Sequence, residues 1–322
     1  MKTIALAFAA LLLFTTPALA QRYQFDRSLD VSDAITLDVS TIRGKIEIAA
    51  GAPGRVVVAG AATVRIGWNV PSNAVQLAQK FAADFTIDRQ GQTIRLKPPA
   101  DAVHSRAMTV NYHVTVPAQS TVVSISDSGE TTIDGIAGQV TVRTQSASIA
   151  LKNLGGSADV TTGSGAVDID GVRGALTVST SSSGINARSI GGNLRVRTSS
   201  GAVAASMSGA GAIDIETGSS AIDIQDARQG LRTKTKSGRT IVRGSPGAAW
   251  DISTGSGSVE ASIGSDAAFR IEAMTGSGSV NLTGATVDGT VAKRSIAGVV
   301  RGNGPLVRID SRSGSINVNV GP

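Results

Sequence analysis

An 18-residue repeat organises the chain from residue 138 onward. Its copies share the pattern Gly-x-apolar-x-apolar-x-Thr, and successive threonines are 18, 18, 18 and 19 residues apart in the series Thr144, Thr162, Thr180, Thr198 and Thr217. Each copy has two halves, in which apolar and polar residues alternate after a glycine. Alternation at period two is typical of a β-strand, and glycine with serine, asparagine or aspartate indicates a tight turn. One copy therefore predicts one coil of two short strands, which buries its apolar face only when coils stack.

The repeat pattern covers residues 120–322 and predicts a single-stranded β-solenoid of about ten 18-residue coils, an all-β fold. A weaker copy runs from Ser120 to Ala137. The series continues at Thr235, Thr254, Thr275, Ser295 and Ser311, with one insertion near residues 272–274.

Composition supports a thin core between two sheets. The chain is 41% hydrophobic but only 3% aromatic, so its apolar side chains are mostly small aliphatic ones. Rings would normally supply much of the buried area of a core. The two later aromatics, Trp250 and Phe269, fall at inward positions of the repeat. Since there is no cysteine, coil stacking must stabilise the fold without disulfides.

Residues 21–119 form the predicted N-terminal β-rich cap, where alternating segments indicate strands without the repeat. Residues 72–85 change to a helical period, which predicts one short amphipathic helix with Ser72 or Asn73 as its N-cap. We expect the aromatic residues of this region to form a small core covering one end of the solenoid. These aromatics are Tyr23, Phe25, Trp68, Phe81, Phe85 and Tyr112.

Residues 1–20 have the pattern of a signal peptide. Lys2 precedes an apolar run over residues 4–14, Pro17 ends the run, and Ala18-Leu19-Ala20 is a small-x-small cleavage site. The sequence therefore predicts an exported protein, periplasmic or at the cell surface, with no transmembrane segment after signal cleavage. The net charge of +6 is modest, and the lack of aromatic–basic interleaving argues against nucleic acid as a partner.

The order of these segments resembles a known bacterial family. An irregular strand region with a short helix ends in Val114-Thr-Val116-Pro117, and coils such as Thr162-Gly-Ser-Gly-Ala-Val-Asp-Ile169 follow. Over roughly residues 25–322 the chain resembles the bacterial putative-adhesin family, an exported β-solenoid domain of unknown function. The resemblance implies a solenoid fold and an envelope or surface location, and it supplies no catalytic residues.

Motifs for catalysis, cofactors or metals are not found in the sequence. His104 is expected in a polar loop and His113 at an outward strand position. The sequence has no nucleophile elbow and no phosphate-binding loop. Asp168 with Asp170, and Asp214 with Glu216, are candidate weak cation sites, for which a solvated or ion-paired surface is the simpler interpretation. We therefore predict a protein that is not an enzyme, with no cofactor.

Charges at outward positions predict the register of the coils. With even offsets from the glycine facing inward, Arg195/Arg197, Asp214/Glu216 and Arg232/Lys234 follow one another on one face, so that basic and acidic residues alternate. The opposite strand carries Lys152, Asp170 and Arg188 in the same alternation. Opposite charges on neighbouring strands stabilise a sheet, whereas like charges destabilise it.

One basic run is a candidate anionic-ligand patch, because no acidic residue lies between Asp226 and Asp251. It could hold anionic glycan or lipid head groups. The alternative is a solvated face with cross-coil ion pairs. The patch comprises Arg228, Arg232, Lys234, Lys236, Arg239 and Arg243.

Together these features predict a non-catalytic exported β-solenoid that acts as an adhesin or as a binding or structural protein of the cell envelope. Its candidate partners are an envelope or extracellular glycan, or a surface protein. A polysaccharide-cleaving β-helix enzyme remains the alternative, and it requires carboxylates held in a groove. A purely structural protein, with end-to-end self-association through residues 311–320, is the third hypothesis.

Overall fold

The computed structural model describes residues 21–32, 34–99 and 101–321, so the predicted signal peptide lies outside the described residues. The N-terminal elements are β1 (Arg22–Asp30), β2 (Thr36–Arg43), β3 (Ile46–Gly51), β4 (Arg55–Val64), α1 (Ala74–Ala83), β5 (Asp88–Gln90), β6 (Thr93–Leu96), α2 (Ala102–Ala107) and β7 (Met108–Pro117). The strands of the repeat region are β8 (Thr121–Ser128), β9 (Thr131–Asp134), β10 (Val140–Ser146), β11 (Ile149–Leu154), β12 (Ala158–Ser164), β13 (Val167–Val172), β14 (Leu176–Ser182), β15 (Ile185–Ile190), β16 (Leu194–Thr198), β17 (Val203–Met207), β18 (Ile213–Ser219), β19 (Ile222–Ala227), β20 (Leu231–Ser237), β21 (Thr240–Gly244), β22 (Trp250–Ser256), β23 (Val259–Ile263), β24 (Phe269–Ser277), β25 (Val280–Thr283), β26 (Asp288–Ala292), β27 (Ser295–Val300), β28 (Leu306–Ser313) and β29 (Ile316–Val320).

Two long sheets face each other across one apolar core, which confirms the predicted β-solenoid. Sheet A has 14 strands in the order β1-β4-β7-β3-β9-β11-β13-β15-β17-β19-β21-β23-β29-β25. Sheet B has 15 strands in the order β26-β27-β24-β28-β22-β20-β18-β16-β14-β12-β10-β8-β2-β6-β5. Each coil contributes one strand to each sheet, and we call such a pair a layer. Between residues 121 and 320 the structure has ten layers, as the repeat predicted.

The register follows the repeat. Val142 pairs with Val160, Val160 with Val178, and Val178 with Val196, all in parallel strands of sheet B. These side chains are fully buried, because even offsets from the glycine point inward. Trp250 is also buried, and its indole N–H donates to the carbonyl of Gln229 at 2.8 Å. The backbone thus supplies a partner for the polar atom of this buried ring.

The repeat's glycines let neighbouring turns stack closely. Gly165 has φ +130°, a conformation that L side chains rarely adopt. A Cβ atom there would lie 2.2 Å from the carbonyl oxygen of Ala147 in the preceding layer. The glycine is therefore needed both for the turn and for the distance between turns.

At the N-terminal end, solenoid stacking continues past the expected start at residue 120. β2 pairs in parallel with β8, and β3 pairs in parallel with β9. β6 and β7 then add a further layer outside β2 and β3. Counted from the N-terminal end of the stack, β6 and β7 form the first layer, β2 and β3 the second, and β8 and β9 the third. The chain therefore forms the second layer before the first and then continues with the third.

At the C-terminal end, the layers are again out of sequence order. β28 lies between β22 and β24, and β29 lies between β23 and β25, with parallel pairing on both sides. The expected repeat around Ser295 is instead an antiparallel hairpin of β26 and β27, which pairs with β24. Residues 311–320 are therefore inside the stack, so the expected end-to-end contact through them is wrong: their backbone groups are already paired.

The cap closes the core with aromatic side chains, as expected. Helix α1 spans Ala74–Ala83 with Asn73 at its N-cap, although the Asn73 side chain makes no capping bond. The Phe25 ring stacks on that of Phe85 at 4.2 Å and meets Tyr112 edge-on at 6.0 Å. The expectation was wrong for Trp68, which is fully exposed in the loop after β4. It was also wrong for His104, which lies in α2 rather than in a loop.

Candidate functional site

A groove runs along sheet B, parallel to the stacking direction, at the C-terminal ends of its strands. It consists of two adjoining depressions of about 640 and about 700 Å³, which share Lys234 and Lys236. Most of the other lining residues are serine, threonine or glycine. The first part is lined by Thr161, Thr162, Ser179, Thr180, Ser181, Arg197, Thr198, Ser199, Glu216, Thr217, Gly218 and Ser219. The second part is lined by Thr235, Ser253, Thr254, Gly255, Ser256, Met274, Thr275, Gly276, Asp310, Ser311 and Arg312.

A column of buried hydroxyl residues runs along sheet B, and eight of its eleven members line the groove. It contributes one residue per layer from β2 to β24, each in register with the next. All of its members are less than 10% exposed. We call this set the threonine column: Thr41, Ser126, Thr144, Thr162, Thr180, Thr198, Thr217, Thr235, Thr254, Ser311 and Thr275.

The threonine column marks the point where each strand of sheet B turns. The hydroxyl of Thr235 donates to the carbonyl of Ser237 at 3.2 Å, and Thr162 and Thr275 make the same bond two residues ahead. The Oγ1 atoms of Thr198 and Thr217 are buried and have no hydrogen-bond partner among the described residues. Where the strand ends, a hydroxyl like that of Thr235 supplies a donor to a backbone carbonyl of the turn, in place of a hydrogen bond of the sheet.

Glycines open the groove around two basic side chains. Gly218 and Gly255 occupy the position of Lys236 in the two adjacent layers, and Gly255 and Gly276 flank Arg312 in the same way. A Cβ atom at Gly255 would lie 2.5 Å from the Lys236 carbonyl oxygen. Among the described residues, neither Lys236 nor Arg312 forms an ion pair with a carboxylate within 4.0 Å. Their strands are two layer spacings apart, with β22 between them, which corresponds to about 10 Å.

Alternating charges flank the groove on the outer face of sheet B. Along one row, basic and acidic residues alternate over six layers in the order Arg195, Asp214, Arg232, Asp251, Arg308, Glu272. Arg308 Nη2 lies 2.8 Å from Glu272 Oε2. The predicted alternation on this face is therefore confirmed, and it extends further than the sequence series showed.

The second row of charges reaches into the groove. Arg197 donates to Asp214 Oδ2 at 2.6 Å and lies 3.4 Å from Glu216 Oε2, while Lys234 Nζ lies 3.8 Å from Glu216 Oε1. The Arg197 guanidinium holds the pKa of Asp214 below its usual value. Farther along the groove, partial burial raises the pKa of Asp310. Arg197 and Lys234 are thus partly neutralised, whereas Lys236 and Arg312 remain available for an anion.

The six residues of the predicted anionic-ligand patch do not share one surface. Arg232, Lys234 and Lys236 lie on sheet B. Arg239 and Arg243 lie on the sheet A side, where they pair with Glu260 and Asp223 respectively, the second at 2.9 Å. Arg228 lies in a turn, 3.8 Å from a carboxylate oxygen of Asp226. The run is continuous in sequence, but each coil distributes it over two faces and the turn between them.

Arg312 is a basic groove residue that the sequence reasoning missed. It is 76 positions from Lys236 in the sequence, and the insertion of β28 beside β22 brings the two to one groove. A signal for this order exists in the sequence. If β22 and β24 were adjacent in the same register, Asp251 would face Glu272, and placing β28 between them puts Arg308 between the two carboxylates.

The residues considered for cation binding have other partners. Asp214 and Glu216 are paired with arginines, as described above. Asp168 accepts a hydrogen bond from Asn186, and Asp170 is in register with Lys152 and Arg188. Within residues 21–32, 34–99 and 101–321, no group of three His, Cys, Asp or Glu side chains is arranged to hold a metal ion.

Carboxylates in the groove do not have the spacing of a glycosidase site. Glu216 and Asp310 both line the groove. Their strands are three layer spacings apart, which corresponds to about 14 Å. Paired catalytic carboxylates that cleave glycosidic bonds are about 5–9.5 Å apart. This arrangement gives no support to the alternative of a polysaccharide-cleaving enzyme.

Comparison with known proteins gives a family and two solved structures. A family model described as Toastrack DUF4097 matches residues 70–319. A putative cell adhesion protein from Clostridium sporogenes ATCC 15579 is 13% identical, over 92% of this chain and 99% of that chain, with a TM-score of 0.25. A putative adhesin from Bacteroides fragilis NCTC 9343 is 12% identical, over 92% of this chain and 96% of that chain, with a TM-score of 0.34. No curated protein matches the chain.

Proposed function

This chain belongs to the Toastrack DUF4097 family, and we propose that it is a non-catalytic envelope protein that binds an anionic polysaccharide along the groove of sheet B. The observation that carries this proposal is the pair Lys236 and Arg312. Both basic groups line the same groove, glycines flank both, and neither forms an ion pair within 4.0 Å with a carboxylate of the described residues.

The polar surface around this pair fits an extended, hydroxylated ligand. Serine and threonine side chains line both parts of the groove and recur in every layer. Hydroxyl groups can both donate and accept hydrogen bonds, so they match the hydroxyls of sugars without fixing one orientation. Layers spaced about 4.8 Å apart present these groups at intervals comparable to the length of one sugar residue. A linear polymer could therefore repeat similar contacts along the stack.

The envelope location in this proposal is supported by the signal-peptide pattern of residues 1–20. The described part of the chain contains no helix that is both long and apolar enough to cross a membrane. In the periplasm or at the cell surface, an anionic glycan is an accessible polymer, and the rest of the solenoid would serve as a rigid support for the groove.

Binding to immobilised polygalacturonate, with dextran as the neutral polymer, tests the proposal. We expect the protein to bind polygalacturonate in a salt-sensitive manner and dextran much more weakly, because the contacts to Lys236 and Arg312 are ionic. The double variant Lys236→Ala/Arg312→Ala should weaken binding to polygalacturonate by about tenfold or more.

The double variant Arg239→Ala/Arg243→Ala is the matched control, since it removes the same charge from sheet A. We expect it to bind polygalacturonate as the unmodified protein does. Equal losses in the two double variants would show only a general charge effect. That result, or equal binding of dextran and polygalacturonate, would overturn the proposal.

A further inference from the structure

The loop between β4 and α1 exposes two large apolar side chains at the cap end of the molecule. Trp68 is 104% exposed relative to an extended reference, and Ile66 is 70% exposed. Most other rings of the cap pack against one another in its core. An apolar side chain that projects fully into water gains free energy when a partner covers it.

Helix α2 is joined to the start of this loop and carries one further exposed apolar side chain. The backbone N–H of Arg65 donates to the carbonyl of Ala107 at 2.9 Å, which joins the start of the loop to the end of α2. Val103 in α2 is 46% exposed. We call Ile66, Trp68 and Val103 the apolar tip.

Three arginines surround this junction. The guanidinium groups of Arg43 and Arg65 both donate to the carbonyl oxygen of Ser105 in α2, at 3.4 and 3.3 Å. Arg106 Nε donates to the carbonyl of Ala102 at 3.1 Å. Among the described residues, no carboxylate lies within 4.0 Å of these guanidinium groups. Asp101, the nearest acidic residue in sequence, caps α2 and contacts His104 at 2.6 Å. We call Arg43, Arg65 and Arg106 the arginine rim.

We propose that the apolar tip and the arginine rim dock the cap end of this protein onto a phospholipid bilayer that contains anionic lipids. Tryptophan and isoleucine would enter the interfacial region, where an amphipathic indole is favoured. The arginine rim would contact lipid phosphates, which adds an electrostatic attraction. A bilayer with anionic lipids fits this combination, because its interface accepts a fully exposed indole and its phosphates match the arginine rim.

The position of the tip also fits this partner. The cap lies at one end of both sheets, beyond the layer of β6 and β7. A protein bound to a bilayer through this end would extend its layers away from the membrane. The groove of sheet B would then remain open along the stack, so docking and the proposed polysaccharide binding use different surfaces and can be tested separately.

Vesicle flotation tests the proposal on the mature chain. Vesicles of phosphatidylcholine mixed with phosphatidylglycerol should carry the protein at physiological salt, and vesicles of phosphatidylcholine alone should carry much less. The double variant Ile66→Ser/Trp68→Ser should reduce the bound fraction by about tenfold or more. Both side chains are exposed, so we expect the melting temperature of this variant to be unchanged.

Removal of two exposed apolar side chains outside residues 21–119 and outside the groove provides the matched control. Ile125 and Val291 are 39% and 65% exposed. The double variant Ile125→Ser/Val291→Ser should bind the anionic vesicles normally. Equal loss in both double variants, or no binding of the unmodified protein to anionic vesicles, would overturn the proposal.

Tryptophan fluorescence provides an independent readout of the contact. The chain has two tryptophans, and Trp250 is only 1% exposed while Trp68 is fully exposed. On addition of anionic vesicles we expect a blue shift and reduced acrylamide quenching, both from Trp68. Vesicle binding with unchanged Trp68 emission and quenching would show that another surface makes the contact, and would contradict the proposal.

Discussion

The threonine column contains two kinds of buried hydroxyl group in otherwise equivalent positions. Thr235 donates to a turn carbonyl, whereas Thr217 in the adjacent layer has no partner among the described residues. The repeat identified these threonines from sequence, and their burial follows from the even offset. Which of them forms the turn bond was not predictable, because that depends on small differences in how each strand turns.

This difference predicts opposite outcomes for one substitution. Thr235→Val should lower the free energy of unfolding by about 1 kcal/mol, because a hydrogen bond is lost and the Ser237 carbonyl loses its donor. Thr217→Val removes only an unpaired buried hydroxyl, and we expect it to be neutral or stabilising. Urea denaturation of both variants measures the difference, and equal destabilisation would contradict it.

Two carboxylates of the sheet B face should respond oppositely to pH. The Asp214 pKa is lowered by Arg197, so its contribution to stability is present above the unfolded pKa and is lost as pH falls through the folded pKa. The Asp310 pKa is raised by burial, so stability is lost as pH rises from the unfolded pKa to the folded pKa, and the loss persists above it.

Thermal unfolding across pH tests this pair of directions. At neutral pH, Asp214→Asn should lower the melting temperature and Asp310→Asn should raise it. The corresponding changes in the free energy of unfolding should each be smaller than about 1 kcal/mol. Both differences should shrink on acidification, because the unmodified carboxyls then become neutral too. Shifts of the same sign at neutral pH would show that these electrostatic directions are wrong.

At the scale of elements, the sequence predicted strands and register well but not the order of layers. Strands in repeat copies have similar apolar patterns, so β24 and β28 each satisfy the core in either position. The N-terminal strands β2 and β3 were placed in the cap because they precede the repeat, although they pair as a layer with β8 and β9. Helix α2 is short, and the six residues that follow its N-cap Asp101 have no apolar period, so no sequence pattern indicated it.

Charge helps to specify the position of β28. Arg308 lies in register between Asp251 and Glu272, so Arg308→Glu would place three carboxylates side by side. We expect a clear fall in melting temperature, which the added substitution Glu272→Arg should partly restore. Arg143→Glu is the matched control, because its register neighbours Ile125 and Thr161 are uncharged. Equal falls for the two single variants would contradict a charge-based order.

At the scale of the whole molecule, the two proposed sites lie on different parts of one rigid stack. The groove follows the length of sheet B, while the apolar tip lies at the cap end. Neither site was predictable as a unit. The basic run in the sequence is divided between the two faces of the solenoid. Arg312 joins the groove only because the layer of β28 is inserted beside β22. Trp68 was predicted as a core residue, and the structure shows it exposed.

The insertion of β28 and β29 also sets an order for folding during synthesis. Strands β22 and β23 are made early, but the layer that covers them is completed only when residues 306–320 have emerged. Until then, parallel edges on both sides of the vacant layer lack backbone partners and are open to proteases or to other chains. A chain interrupted before residue 306 can cover β22 only by pairing it directly with β24, which places Asp251 opposite Glu272. The fold therefore favours persistence of chains that have been completed.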